Sequence, residues 1–102
     1  MPYMPEHSNT ALTAAELEHS KPEHWDGTSQ AIWREFAFES YLAGVNFAVG
    51  VAQLAEQQNH HPDLAIGYKR VKVTYSTHDS GGVTPKDLAA ALAVNQLAAQ
   101  AP

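Results

Sequence analysis

Cysteine is absent from the chain, so neither a disulfide nor a thiolate metal site can contribute to its chemistry. Basic residues are scarce as well. Six lysines and arginines stand against eleven acidic residues, and the net charge of −5 argues against binding to a nucleic-acid phosphate backbone. Long apolar runs are missing: no window approaches the ~20 consecutive apolar residues of a membrane span. The stretch from Met1 to Ser8 has neither a basic leader region nor an apolar run, so a cytoplasmic location is expected. Repeats and low-complexity segments are also lacking. What is present is 44% apolar residues in 102, enough for one hydrophobic core and too little for two. A single domain over residues 1–102 is expected, with residues 1–12 as a loosely ordered arm.

Changes of hydrophobic period place the elements. Thr13 followed by Glu16 fits a capping box that opens a short helix through about His19, and Ser20, Lys21 and Pro22 stop it. Trp25 to Gln30 reads as a short edge strand, and Ala31 to Glu39, alternating around Phe36 and Phe38, as a half-buried one. From Ser40, a suitable N-cap, to about Asn59 the period is helical, with Leu42, Val45, Val49 and Ala52 as a stripe flanked by Tyr41, Ala48 and Ala55. Leu64 to about Thr77 reads as a second hairpin turning at Lys69 and Arg70. Thr84, Pro85 and Asp87 supply an N-cap, a first-turn proline and an acidic third position for a last helix. The order α-β-β-α-β-β-α predicts an α+β fold, a four-stranded antiparallel sheet with three helices on one face.

Within this frame, chemistry-bearing residues fall into one string, E-x3-H-H-P-x5-Y-x9-H-x8-D, formed by Glu56, His60, His61, Pro62, Tyr68, His78 and Asp87. Imidazole exchanges protons near neutrality, so clustered histidines suggest acid–base chemistry. Each residue also has a plainer explanation. His60 and His61 suit the C-terminal end of a helix followed by a stop proline. Asp87 suits a capping box with Thr84, and Glu56 is a simple helical partner four residues before His60. Three histidines can also hold zinc, although adjacent histidines at a turn match metal-binding spacing less well than pairs at i and i+4.

The string, together with Ser76-Thr77-His78 and the glycine-containing loop before Asp87, resembles the signature of the pterin-4a-carbinolamine dehydratases. The likeness extends through Ala31 to Phe38 and through Asn46-Phe47, so that it covers roughly Trp25 to Leu97. It implies loss of water from a 4a-hydroxytetrahydropterin to give the quinonoid dihydropterin. That reaction recycles the cofactor of aromatic amino acid hydroxylases, with a functional link to phenylalanine hydroxylase. It also implies that His60, His61 and His78 are catalytic, with His60 and His78 as proton-transfer groups and His61 orienting substrate. Glu56, Pro62, Ser76, Thr77 and Asp87 would bind substrate or support the site. No metal or cofactor is expected, the pterin being the substrate, and the partners implied are further copies of the chain in a homodimer or homotetramer. The likeness departs at Leu64, where family members often carry an aromatic residue, and in the small-residue loop from Asp79 to Gly82. Two alternatives carry forward: a protein-interaction module of the same fold, akin to a dimerisation cofactor, and a pterin-binding or molybdopterin-related homologue with low dehydratase activity.

Overall fold

The structure is a computed structural model, described here for residues 10–77 and 80–100. It has the expected order: α1 (Ala14–Ser20), β1 (Asp26–Gly27), β2 (Ile32–Ala37), α2 (Tyr41–Gln58), β3 (Asp63–Gly67), β4 (Arg70–Tyr75) and α3 (Pro85–Gln100). The strands form one antiparallel sheet in the order β1-β2-β4-β3, with the helices on one face. The longest pairing runs from Ile32 opposite Tyr75 to Ala37 opposite Arg70, so the two six-residue strands lie side by side at the centre.

Alternation along these central strands decides what the helices cover. Ile32 and Phe36 on β2, and Val71, Val73 and Tyr75 on β4, are buried toward the helices. Trp33, Glu35 and Lys72 occupy the opposite pleat, as a period of two requires. Against this floor α2 lays Gly44, Phe47, Ala48, Val51 and Ala55, and α3 lays Ala90, Ala91 and Val94. Each fully buried valine contributes about 1.5–3 kcal/mol relative to exposure. Gly44 is small for a reason: a Cβ there would stand 3.3 Å from the Phe38 ring and 3.4 Å from Val71.

Of the helix stripe expected from Leu42, Val45, Val49 and Ala52, it is the flank at Ala48 and Ala55 that is buried, and not the stripe's centre. Leu42 is 64% exposed and Val49 51%, because the sheet is met by a face rotated toward Phe47 and Val51. Apolar residues occur on both faces of α2, so periodicity did not distinguish them. The edge strand is also shorter than Trp25 to Gln30. Thr28 N–H donates to Ala31 C=O at 2.8 Å and Gln30 N–H to Thr28 Oγ1 at 3.1 Å, turning the chain immediately after Gly27. The second hairpin turns at Tyr68 and Lys69, not Lys69 and Arg70. Arg70 pairs with Gly67, and Lys69 takes the left-handed backbone with φ 63°.

Local chemistry closes each helix. Thr13 and Glu16 form the reciprocal capping box at α1, at 3.1 and 2.9 Å, and Ser40 Oγ accepts from Ala43 N–H at 3.0 Å at α2. Asn95 ties α3 to the sheet edge: its Oδ1 accepts from Trp25 Nε1 and Arg34 Nη1, both at 2.7 Å. Its Nδ2 donates to the Glu23 carbonyl at 3.0 Å. Leu12, at the end of the expected arm, donates its N–H to Val83 C=O at 2.7 Å and packs against the core; residues 1–9 lie outside the described residues. Among the described residues no helix is long and apolar enough to cross a membrane.

Candidate active site

The exit from α2 is where the string becomes geometry. Asn59 adopts the left-handed conformation with φ 53° and ψ 43°, and a short polar side chain tolerates this better than most. Its N–H reaches Glu56 C=O at 3.4 Å while His60 N–H reaches Ala55 C=O at 3.1 Å, a Schellman closure. The helix therefore ends abruptly, with His60 thrown back over the base of α3. Pro62 follows and prevents any resumption before β3 begins at Asp63.

Asp87 receives that histidine. Its side chain is fully buried, and a carboxylate in such a place needs partners on both oxygens. His60 Nε2 lies 2.5 Å from Oδ1. Oδ2 accepts from Thr77 Oγ1 at 2.7 Å and from Thr84 N–H at 2.9 Å. The last contact is one half of a capping box. Asp87 is thus both the third residue of α3's first turn and the anchor of an imidazole, because β4 and α2 end against the same helix start.

The hydroxyl protons can be followed by counting. Thr77 spends its single proton on Asp87, so the 3.0 Å contact between Thr77 and Thr84 hydroxyls has Thr84 as donor. Thr84 Oγ1 in turn accepts from Lys86 N–H at 3.2 Å. With both carboxylate oxygens acting as acceptors, His60 donates through Nε2, leaving Nδ1 as the nitrogen able to exchange a proton with a ligand. The His60 side chain is 13% exposed and borders a hollow of about 170 Å³ with Gln58, Lys86, Ala89 and Ala90.

Thr77 also borders a second recess, of about 370 Å³, with Gln30, Ala31, Ser76, Gly81 and Gly82. Gly82 is required there, since a Cβ would meet the Ser29 carbonyl oxygen at 2.4 Å. A larger hollow of about 440 Å³ lies elsewhere, between α2 and the end of α3, walled by Phe38, Phe47 and Leu97. No histidine among the described residues borders it. The titratable cluster, and not volume, marks the candidate site.

His61 is differently placed. Its Nε2 lies 2.7 Å from Glu56 Oε2, but the two side chains are 55% and 78% exposed. The structure therefore brings together His60, Thr77 and Asp87 in one buried cluster and sets His61 with Glu56 beside it in solvent. Ser76 borders the recess, and Pro62 sits at the corner. His78 and the adjoining Asp79 lie outside the described residues. Among the described residues, no three histidine or acidic side chains converge in a way that would hold a metal ion. Tyr68, in the hairpin turn, is 69% exposed.

Two contributors were not singled out from sequence. Thr84, read only as a cap, is also the donor that completes Thr77. Tyr75, read only as a strand residue, lies under His60, with ring centroids 5.6 Å apart and planes 14° from parallel. Its hydroxyl is buried without a hydrogen-bond partner among the described residues. Burial, and then the negative charge of Asp87, push its ionisation up to about 12. Strand alternation with Thr77 was the available signal.

A family model described as pterin 4 alpha carbinolamine dehydratase matches residues 6–97. A protein of Natronomonas pharaonis, provisionally described as a pterin-4-alpha-carbinolamine dehydratase, is 45% identical over 87 residues, covering 85% of this chain and 95% of that one. One from Gloeobacter violaceus, provisionally described as a second enzyme of this kind, is 48% identical over 69 residues, covering 68% and 74%. Among solved structures, a transcriptional coactivator/pterin dehydratase from Brucella melitensis superimposes with a TM-score of 0.80 at 32% identity, over 87% of this chain and 99% of that one. A pterin dehydratase-like protein identified as a RuBisCO assembly factor in the alpha-carboxysome matches with a TM-score of 0.59 at 28% identity, over 72% and 86%.

Proposed function

The chain belongs to the pterin 4 alpha carbinolamine dehydratase family, and from that premise we propose that it dehydrates a 4a-hydroxytetrahydropterin by histidine acid–base catalysis. The C4a–oxygen bond breaks and the hydroxyl leaves as water with a proton supplied by one imidazole. The N5 proton passes to a second imidazole, and the electron pair released at N5 forms the N5–C4a double bond of the quinonoid product. His60, through Nδ1, and His78 are the proton-transfer pair, and His61 orients the substrate with Glu56 behind it. Ser76 and Thr77 offer polar groups at the substrate's edge. No metal or redox cofactor enters the scheme, and the product returns to an aromatic amino acid hydroxylase in the cytoplasm.

The observation that supports this most is the buried Asp87, whose 2.5 Å contact holds His60 with one nitrogen committed and the other without a partner among the described residues. Such a transfer is typically worth about 10²- to 10⁴-fold in rate. The test follows the ultraviolet change as freshly generated 4a-hydroxytetrahydropterin loses water. Wild type accelerates it, and folded His60→Ala is slower by about the same 10²- to 10⁴-fold. A variant as fast as wild type would remove His60 from the mechanism.

A second reading rests on Tyr41, Leu42 and Val49, which leave an apolar outer face on α2. Two solved relatives carry descriptions of coactivation and assembly. In this reading the face binds further copies of the chain or another protein. Leu42→Glu with Val49→Glu then changes the assembly seen by light scattering while turnover persists. An unchanged assembly would dismiss it.

A further inference from the structure

We infer that Tyr75 is a positioning residue for His60, its ring acting as the floor that sets the plane of the imidazole and so the direction of Nδ1. The consequence for rate rests on the dehydratase reading proposed above, whereas the consequence for geometry does not.

A single hydrogen bond restrains an imidazole only in part. The contact of Nε2 with Asp87 Oδ1 fixes the tautomer and the position of that atom, while the ring, tethered at Cβ, can still rock about the Cβ–Cγ bond because Nε2 lies close to that axis. A second restraint is needed, and the near-parallel Tyr75 ring, 14° from the imidazole plane, supplies it. The order of layers is set by exposure. Tyr75 is completely buried and the His60 side chain is 13% exposed, so the phenol lies inside and the imidazole outside. Trp25 also packs against the phenol, 6.0 Å away between centroids with the rings tilted by 38°, and is itself held by Asn95 at 2.7 Å, which restrains the floor.

One strand end carries both restraints. Tyr75 and Thr77 are two residues apart, and Thr77 grips the far oxygen of the same Asp87 that holds Nε2. A shift at the end of β4 would move the floor and the carboxylate together. The Tyr75 hydroxyl has no hydrogen-bond partner among the described residues, and like any phenol it is protonated at neutral pH, with burial and Asp87 raising its ionisation further. It neither competes for the proton nor donates to His60. What reaches His60 is the ring face.

The full-length protein, with histidine ring carbons isotopically labelled, tests this by proton NMR and kinetics together. In wild type, nuclear Overhauser contacts link the His60 ring protons to the Tyr75 ring, and those protons carry the upfield displacement of a stacked position. Tyr75→Leu loses the displacement, and kcat falls about tenfold at nearly constant KM, as expected when orientation and not binding is lost. Tyr75→Phe, which keeps the face, restores both the displacement and, to within about twofold, kcat. Missing Overhauser contacts in wild type would overturn the inference even if the leucine variant did not fold. A phenylalanine variant as slow as the leucine one would overturn it too, by assigning the effect to the hydroxyl. If wild type shows the stacked ring but no dehydration, the dehydratase reading fails while the positioning of His60 by Tyr75 stands.

Discussion

His60 and His61 are neighbours in sequence and each has a carboxylate within hydrogen-bond reach, at 2.5 and 2.7 Å, yet they inhabit different physical worlds. His60 meets a fully buried Asp87, lies on Tyr75 and belongs to a network in which every hydrogen has an assigned acceptor. His61 meets Glu56 across solvent, and water competes for both partners. Distance alone would rank the two pairs as equals. Burial separates them, because a buried carboxylate deprived of its donors cannot turn to water for replacements. The Schellman closure at Asn59 and the proline at position 62 divide the dipeptide this way, sending one ring inward over α3 and the next outward.

The contrast is sharpest at the carboxylates. Asp87→Ala removes a helix-capping acceptor, strands Thr77 and leaves His60 without its anchor. It should cost about 3–5 kcal/mol, read as a lowered urea midpoint. A loss below about 1 kcal/mol would place Asp87 among ordinary surface pairs.

Next in size is an alkaline effect from the floor of the buried pair. Tyr75 ionises near 10.0 in the unfolded chain and near about 12 when folded. The unfolded state therefore releases its phenol proton first. Stability from this group is complete below pH 10 and declines as pH rises toward 12, by up to roughly 2–3 kcal/mol. Tyr75→Phe should abolish that part of the decline, visible when urea midpoints are compared at pH 9 and at about pH 11.5. Equal pH slopes in the two proteins would show that Tyr75 is not shielded.

Thr77→Val should lose about 1–2 kcal/mol, since it keeps the shape but deprives Asp87 Oδ2 and the Thr84 hydroxyl of a partner. Smallest is Glu56→Gln, which should alter stability by no more than about 0–1 kcal/mol, and less as salt is raised. An effect of Glu56→Gln as large as that of Asp87→Ala would erase the distinction between the two corners.

The parts legible in the sequence were those governed by local rules. Capping at Thr13 and Ser40, alternation through Val71, Val73 and Tyr75, and the Thr84-Pro85 start of α3 each follow from a few neighbouring residues, and together they gave the element order and fold class. The face of α2 did not follow, because Leu42 and Val49 are as apolar as the residues that actually meet the sheet. The hairpin turn was misplaced by one residue, since neither Tyr68 nor Arg70 advertises whether it pairs and only Lys69 takes positive φ. Asp87 was visible both as a cap and as a site candidate. That one carboxylate holds His60 and Thr77 together depends on three chain segments meeting, which spacing along the chain does not encode. Tyr75 was hidden for the same reason.

The claim on which the rest depends is that Asp87 acts through His60, and a double-mutant cycle on the dehydration rate tests it most directly. The variants are His60→Gln, Asp87→Asn and the two combined, each checked for folding. If the carboxylate serves by holding the imidazole, the double variant should be no slower than His60→Gln alone. Multiplying effects, with the double variant slower by the product of the two single losses, would show that the two side chains act independently and would contradict the account.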